Sequence, residues 1–115
     1  KYKGYLIVLK GTDWYWEDKN GEHRHVNKDD FTIQPEGQKV VFDGVFNAIH
    51  GTPGEDGKLQ GYLDMLQIPY TSCNTATAAL TFDKFLCTHF VNSYGIRTAR
   101  SRSFLRGEAV DEEEV

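Results

Sequence analysis

The sequence is poor in cysteine, with two in 115 residues, Cys73 and Cys87, and no CxxC pair. That spacing fits no zinc site, and both thiols are expected to be small, reduced, partly buried side chains. Hydrophobic runs are short. None approaches the ~20 residues that cross a bilayer, and "GYLIVLK" has the length of a strand. No signal-peptide pattern is present. Neither GxGxxG nor a P-loop occurs, so the common glycine-rich phosphate cradles are missing. Thirteen basic residues are scattered among seventeen acidic ones, for a net charge of −4, which leaves no basic patch for a nucleic acid. The sequence therefore predicts no nucleic-acid partner, no membrane partner and a cytoplasmic location. The only methionine is Met65, and the chain opens at Lys1 and closes on "AVDEEEV". Asp111 and Glu114 fit a capping-box variant, with acids in the first turn where the helix dipole favours them. A helix announced so late implies a segment of a longer protein.

What is present suffices for a core. Apolar residues make up 39%, with two Trp, six Tyr and seven Phe, consistent with one domain or pieces of two. Residues 4–10, an apolar run ended by Gly11, predict a strand buried on both faces and paired in parallel. Asn20-Gly21 predicts a type I′ hairpin, and Glu36-Gly37 a second hairpin. Residues 43–49, "DGVFNAI", predict another buried strand. Leu59, Tyr62, Leu63 and Leu66 then fall at i, i+3, i+4 and i+7, one face of a helix. "IPY" follows as a short edge strand, limited by Pro69. Asn74 is placed to cap a helix over "NTATAALTFDK". Phe82, Phe85, Leu86, His89 and Phe90 make a second apolar stripe, ended by Gly95 at a C′ position. "IRTARSRSFL" predicts a half-exposed strand. There are no internal repeats. The class is α/β, built from strand–loop–helix units.

The densest chemistry lies in residues 50–61, "HGTPGEDGKLQG". In an open parallel sheet, ligands bind where strand ends meet loops. This loop follows a strand and launches a helix, whose first N–H groups and dipole suit an anion. Glycines let backbone approach a ligand closely. His50 can donate or accept near neutral pH, and Glu55 or Asp56 can accept from an ammonium. The expected ligand is a small zwitterion. Taken alone, "GEDG" also fits a bare turn with Glu55 and Asp56 capping the helix, and His50 also fits a structural histidine. His23, His25 and His89 have no metal-like companions and are expected on the surface or a helix face.

The run "FNAIHGTPGEDGKLQGYLDMLQIPYTSCNTATAALTFDKFLCTHFVNSYGIRTARS" covers nearly half the chain. Its order is hydrophobic strand, His-Gly, Gly-Glu-Asp-Gly, Gln-Gly, amphipathic helix, Ile-Pro-Tyr, small-residue turn and Ala-rich helix ending in Asp-Lys. This closely resembles the D-alanine–D-alanine ligase family of ATP-grasp enzymes. "YLIVLKGTDWYWEDKNG" resembles the family's second strand and following hairpin. Two departures are "TSCNTA", where the family has a glycine-rich turn, and Gln67, where it has glycine.

The resemblance implies a partial Rossmann-like (pre-ATP-grasp) parallel-sheet domain over residues 1–72, lacking its first strand and helix. It implies the start of the ATP-grasp central domain over 73–115. It further implies ATP-driven joining of two D-alanines through an acyl phosphate, for peptidoglycan and the cell wall. ATP and Mg2+ (or Mn2+) are the implied cofactors, D-alanine the substrate, and a homodimer the parent. His50 and Glu55 match residues at the first D-alanine, joined in a hydrogen-bond relay. Lys84 matches the lysine that reaches the ATP phosphates. No catalytic residue and no metal ligand is assigned, and the segment alone is expected to be inactive. Two alternatives stay open: an ATP-grasp ligase with a D-lactate or D-serine acceptor, and a non-catalytic module binding a small ligand.

Overall fold

The computed structural model describes residues 2–108. The chain is α/β, a small sheet and three helices. By backbone proximity it divides into two units. One holds the residues up to Asn47 together with Tyr62–Thr71; the other holds Ala48–Gly61 and the residues from Ser72 on. The division falls inside helix α1, Lys58–Met65.

In the first unit, β1 (Ile7–Lys10), β2 (Asp13–Glu17) and β3 (His23–His25) form an antiparallel sheet in the order β1-β2-β3. Val8 lies opposite Tyr15, and Tyr15 opposite His25. The expected parallel strand, buried on both faces, is thus replaced by a partly covered strand paired antiparallel with the segment that follows it. A tight turn through Gly11 (φ +58) brings β2 back at little loop-closure cost. A parallel partner needs a long crossover, and among the described residues none leads from β1 to a parallel neighbour.

The β2–β3 connection is also not the expected type I′ turn. The Asp18 N–H donates to the Glu22 carbonyl (2.9 Å) and the Gly21 N–H to the Asp18 carbonyl (3.0 Å). Within this loop only Gly21, at φ +79, is left-handed, whereas type I′ needs two such residues. The Asp18 carboxylate decides the outcome: its Oδ1 accepts from the amides of Asn20 (2.9 Å) and Glu22 (3.0 Å), the local bonding that Asp offers a turn. The second hairpin forms as expected, with Ile33 bridged to Val40 across a 3-10 turn at Pro35–Gly37.

The core of this unit is aromatic. Trp16, Val26, Phe31, Ile33, Leu63 and Ile68 are buried. Trp14 stands edge-on to Tyr62 (5.1 Å between ring centres) and Phe31 lies against Phe42 (5.4 Å). The Tyr62 hydroxyl donates to the Lys28 carbonyl at 2.6 Å. Phe31 has φ +51, unfavourable for a residue with a Cβ; burying its ring offsets that strain. Residues 43–49 do not form the full strand expected. Val45 makes one parallel bridge to Tyr70, its amide donating to Pro69 (2.8 Å) and its carbonyl accepting from Thr71 (3.0 Å). With no strand on its other side among the described residues, the pairing stops there, and Phe46 is exposed.

Helix α1 buries Leu59 and Leu63, as its periodicity requires. It ends in a Schellman motif: the Ile68 amide donates to the Leu63 carbonyl (3.0 Å) and the Gln67 amide to the Asp64 carbonyl (3.1 Å). Gln67 takes the left-handed C′ position at φ +57, where glycine is the usual residue.

In the second unit, α2 (Thr75–Phe82) is capped by Asn74, whose side chain accepts from the Thr77 amide at 2.9 Å. The helix does not run on through Lys84. Asp83 ends α2 and caps α3 (Lys84–Ser93), its carboxylate accepting from the Leu86 amide at 2.9 Å. Gly95 (φ +80) closes α3 at C′, as expected. The apolar stripe is largely uncovered: Phe82, Leu86 and Phe90 are about half exposed. Residues 96–105 form no strand. They lack a neighbouring strand among the described residues, and side-chain bonds to α3 take over, Asn92 to Thr98 and Thr88 to Ser101, both 3.1 Å. The helix expected from Asp111 lies outside the described residues.

Gln67→Gly is expected to raise the thermal unfolding midpoint. Relief of the left-handed backbone, about 1–2 kcal/mol, outweighs the added chain entropy of glycine, roughly 0.5–1 kcal/mol. Gly95→Ala should lower the midpoint. Calorimetry on both variants checks this; a lower midpoint for Gln67→Gly would mean that the glutamine side chain contributes more than its backbone costs.

Candidate functional site

The glycine-rich loop lies within the second unit, between Ile49 and the start of α1. Gly51 (φ +71) and Gly57 (φ +87) adopt backbone that favours glycine. Gly54 is required for a different reason: a Cβ there would fall 2.5 Å from the Ile49 Cβ and 2.6 Å from the Ile49 carbonyl oxygen. The loop folds back onto the segment that leads into it.

Glu55 holds that fold. Its Oε2 accepts from the Gly51 amide at 2.6 Å, and its own amide donates to the Gly51 carbonyl at 2.9 Å. The two bonds make a reciprocal clasp around Thr52, Pro53 and Gly54. The other carboxylate oxygen, Oε1, stands 3.9 Å from Nδ1 of His50. That is an ion-pair distance when the imidazole is protonated and is too long for a hydrogen bond. The His50 side chain is fully exposed and that of Glu55 half exposed.

Asp56, the next residue, behaves differently. Its side chain is only 7% exposed. It accepts from the Thr52 hydroxyl (2.5 Å), the Lys58 amide (3.2 Å) and the Lys58 ammonium. The Lys58 ammonium first, then the Thr52 hydroxyl, hold its carboxyl well below the usual range, at about 2. The sequence suggested that the first amides of α1 would be offered to a substrate carboxylate. Three of the first four are already engaged: Lys58 by Asp56, Leu59 by the Pro53 carbonyl (3.1 Å) and Gly61 by the Gly57 carbonyl (2.9 Å). His50 stands fully exposed beside the half-exposed Glu55.

Lys84 opens α3 and is exposed. It forms no ion pair among the described residues, and it is not brought into contact with His50 or Glu55 by any bond there. Of the other histidines, His23 stacks on Tyr15 (4.0 Å), His25 faces Asp13 (3.2 Å) and His89 bonds the Phe85 carbonyl (2.9 Å). Among the described residues, no group of three or more His, Cys, Asp or Glu could hold a metal ion. Two participants escaped the sequence reading. Asp83 was legible as an Asp three residues before an amide it could cap. Gln60 gave only the faint signal of an amide side chain flanking an apolar stripe, yet it is buried and bonds the loop.

The Asp56 contacts carry a pH dependence. Its folded pKa lies below the ordinary 3.8, so the stabilisation is complete above that value and fades as the pH falls from about 4 to 2. Asp56→Asn should destabilise the loop near neutral pH and remove this part of the acid transition. Unfolding midpoints of both proteins across that window test it: the gap between them should close on acidification, and a constant gap would contradict the assignment.

Comparison with known proteins bears on this loop. The family model described as D-ala D-ala ligase N-terminus matches residues 4–73. A D-alanine--D-alanine ligase from Bacteroides fragilis is 42% identical over all 115 residues, which span 36% of that protein. One from Porphyromonas gingivalis is 46% identical over 100 residues, 87% of this chain and 30% of that protein. The chain thus spans about a third of the length of the curated relatives it matches. The crystal structure of D-alanine-D-alanine ligase from Aeromonas hydrophila is similar in fold, with TM-score 0.70 and 23% identity over 84% of this chain and 35% of that one. A family match that takes in the glycine loop, α1 and the Schellman turn leaves one conclusion: the chain belongs to the D-alanine–D-alanine ligase N-terminal family.

Proposed function

We propose that this chain is the part of an ATP-dependent D-alanine–D-alanine ligase that receives the first D-alanine and begins the nucleotide clamp. Residues 1–72 belong in this reading to the N-terminal Rossmann-like domain and 73–115 to the start of the central ATP-grasp domain. In support, the family match ends at residue 73. The same reading takes the full-length protein as a cytoplasmic homodimer serving peptidoglycan synthesis, on family resemblance alone.

The observation that carries the proposal is the division of labour in Glu55. One carboxylate oxygen is locked by the Gly51 amide and the other is turned toward an exposed imidazole. A locked carboxylate with one free oxygen suits a substrate ammonium. A protonated His50 beside it suits the carboxylate of the same zwitterion. The reaction itself has two steps. The carboxylate oxygen of one D-alanine attacks the γ-phosphorus of ATP, giving an acyl phosphate and ADP. The amine of a second D-alanine then attacks the acyl carbon, phosphate leaves, and the amine proton is lost. Lys84 supplies a point charge toward the phosphates, a role suited to a compact ammonium on a long stem. Magnesium or manganese would neutralise phosphate charge, and no residue of this chain is assigned to hold it.

In the full-length protein, His50→Gln and Glu55→Gln should each raise the D-alanine KM or lower kcat and leave the ATP KM nearly unchanged. Their double variant should cost less than the sum, with a coupling of roughly 0.5–3 kcal/mol. Lys84→Ala should weaken ATP use by about 1.5–3 kcal/mol, the loss of a bond to a charged group. Phosphate release with D-alanine, D-lactate or D-serine as acceptor measures all three. A protein that binds D-alanine but turns over no ATP would be a binding module and would end the ligase reading. Strict additivity, with losses only in stability, would leave His50 and Glu55 as turn residues.

A further inference from the structure

Gln60 is 1% exposed, among the most completely buried side chains described. Its Nε2 donates to the Gly54 carbonyl at 2.7 Å and to the Ser72 hydroxyl at 3.1 Å. The Ser72 hydroxyl in turn donates to the Cys73 carbonyl at 3.2 Å. The other side-chain atom, Oε1, is buried without a hydrogen-bond partner. A carbonyl can only accept, so the amide nitrogen must be the end that faces Gly54. All the polar value of this side chain therefore lies in its two donors.

The peptide that Gln60 holds is the one between Gly54 and Glu55. Its carbonyl is bonded by Gln60, and its N–H, that of Glu55, donates to the Gly51 carbonyl at 2.9 Å. The plane is gripped at both ends, and Glu55 hangs from it. We infer that Gln60 is a positioning residue: its amide hydrogens fix the Gly54–Glu55 peptide and so aim the Glu55 carboxylate at the ligand that His50 and Glu55 receive. The aim toward D-alanine rests on the proposed function; the grip on the peptide does not.

Two variants of the full-length protein test this. Gln60→Met keeps the volume and removes both donors. Gln60→Glu removes them while the new carboxyl is ionised and restores one when it is protonated, which burial favours already at mildly acidic pH. Near neutral pH both should speed hydrogen exchange at the Glu55 amide by roughly tenfold, the loss of one good hydrogen bond, with α2 protected as before. Both should raise the D-alanine KM by a similar factor and leave the ATP KM unchanged. Acidification should recover exchange protection (relative to intrinsic rates) and KM in Gln60→Glu, not in Gln60→Met. Unchanged Glu55 protection in Gln60→Met would overturn the inference, as would protection lost evenly through α1 and α2. If Gln60→Met fails to fold, the acid recovery of Gln60→Glu decides, and its absence also overturns the inference. A wild-type protein without D-alanine-dependent ATP turnover would sink the ligase reading while the exchange result still decides Gln60.

Discussion

A methyl group on Gly57 would stand 2.8 Å from the Thr75 carbonyl oxygen and 3.4 Å from the Ala79 Cβ. The beginnings of α1 and α2 come this close because position 57 has no side chain and can hold φ +87. Other contacts follow from that approach. Gln60, one turn along, reaches the loop at Gly54 and the α2 approach at Ser72 with one amide group. Asp56, just before the glycine, meets both Thr52 and Lys58. The loop is therefore shaped by crowding from below as well as by its own flexible residues.

Adjacent carboxylates in this loop do different work because their surroundings differ. Asp56 is turned inward, nearly covered, and saturated by a hydroxyl, an amide and an ammonium. It neutralises the helix start and leaves little capacity for a ligand. Glu55 spends one oxygen on Gly51, and its side chain as a whole stays half in water. Two acids in sequence thus separate into a structural cap and a free acceptor, with the boundary set by which of them the Lys58 side chain can reach.

Features written in a few neighbouring residues were legible in the sequence. The Asn74 cap, the Gly95 terminus, the α1 face and the second hairpin each depend on side chains within one or two turns of the backbone they control. Strands depend on partners elsewhere. Residues 4–10 took the antiparallel neighbour supplied by their own turn, residues 43–49 kept a single bridge, and residues 96–105 formed no strand. The candidate site was legible as residue types and spacing, and its two proposed residues, His50 and Glu55, stand near one another without the expected hydrogen bond. What spacing could not give was the geometry: the 3.9 Å separation, the Gly51 clasp, and three of the first four amides of α1 filled from within. Gln60 stayed hidden because a glutamine beside an apolar stripe looks like a solvent-facing residue until its burial is known.

Several apolar side chains stand in water: Leu6, Val41 and Phe46 in the first unit, Leu86 and Phe90 in the second. Contacts made by such groups draw their free energy from released water rather than from charge. They strengthen on warming from the cold, and excluded salts such as sulfate tighten them. Ordinary salt screening, which weakens exposed pairs such as Lys19–Glu36, leaves them in place. Burial of these side chains against any apolar surface would accordingly answer to temperature and to the choice of anion more than to ionic strength.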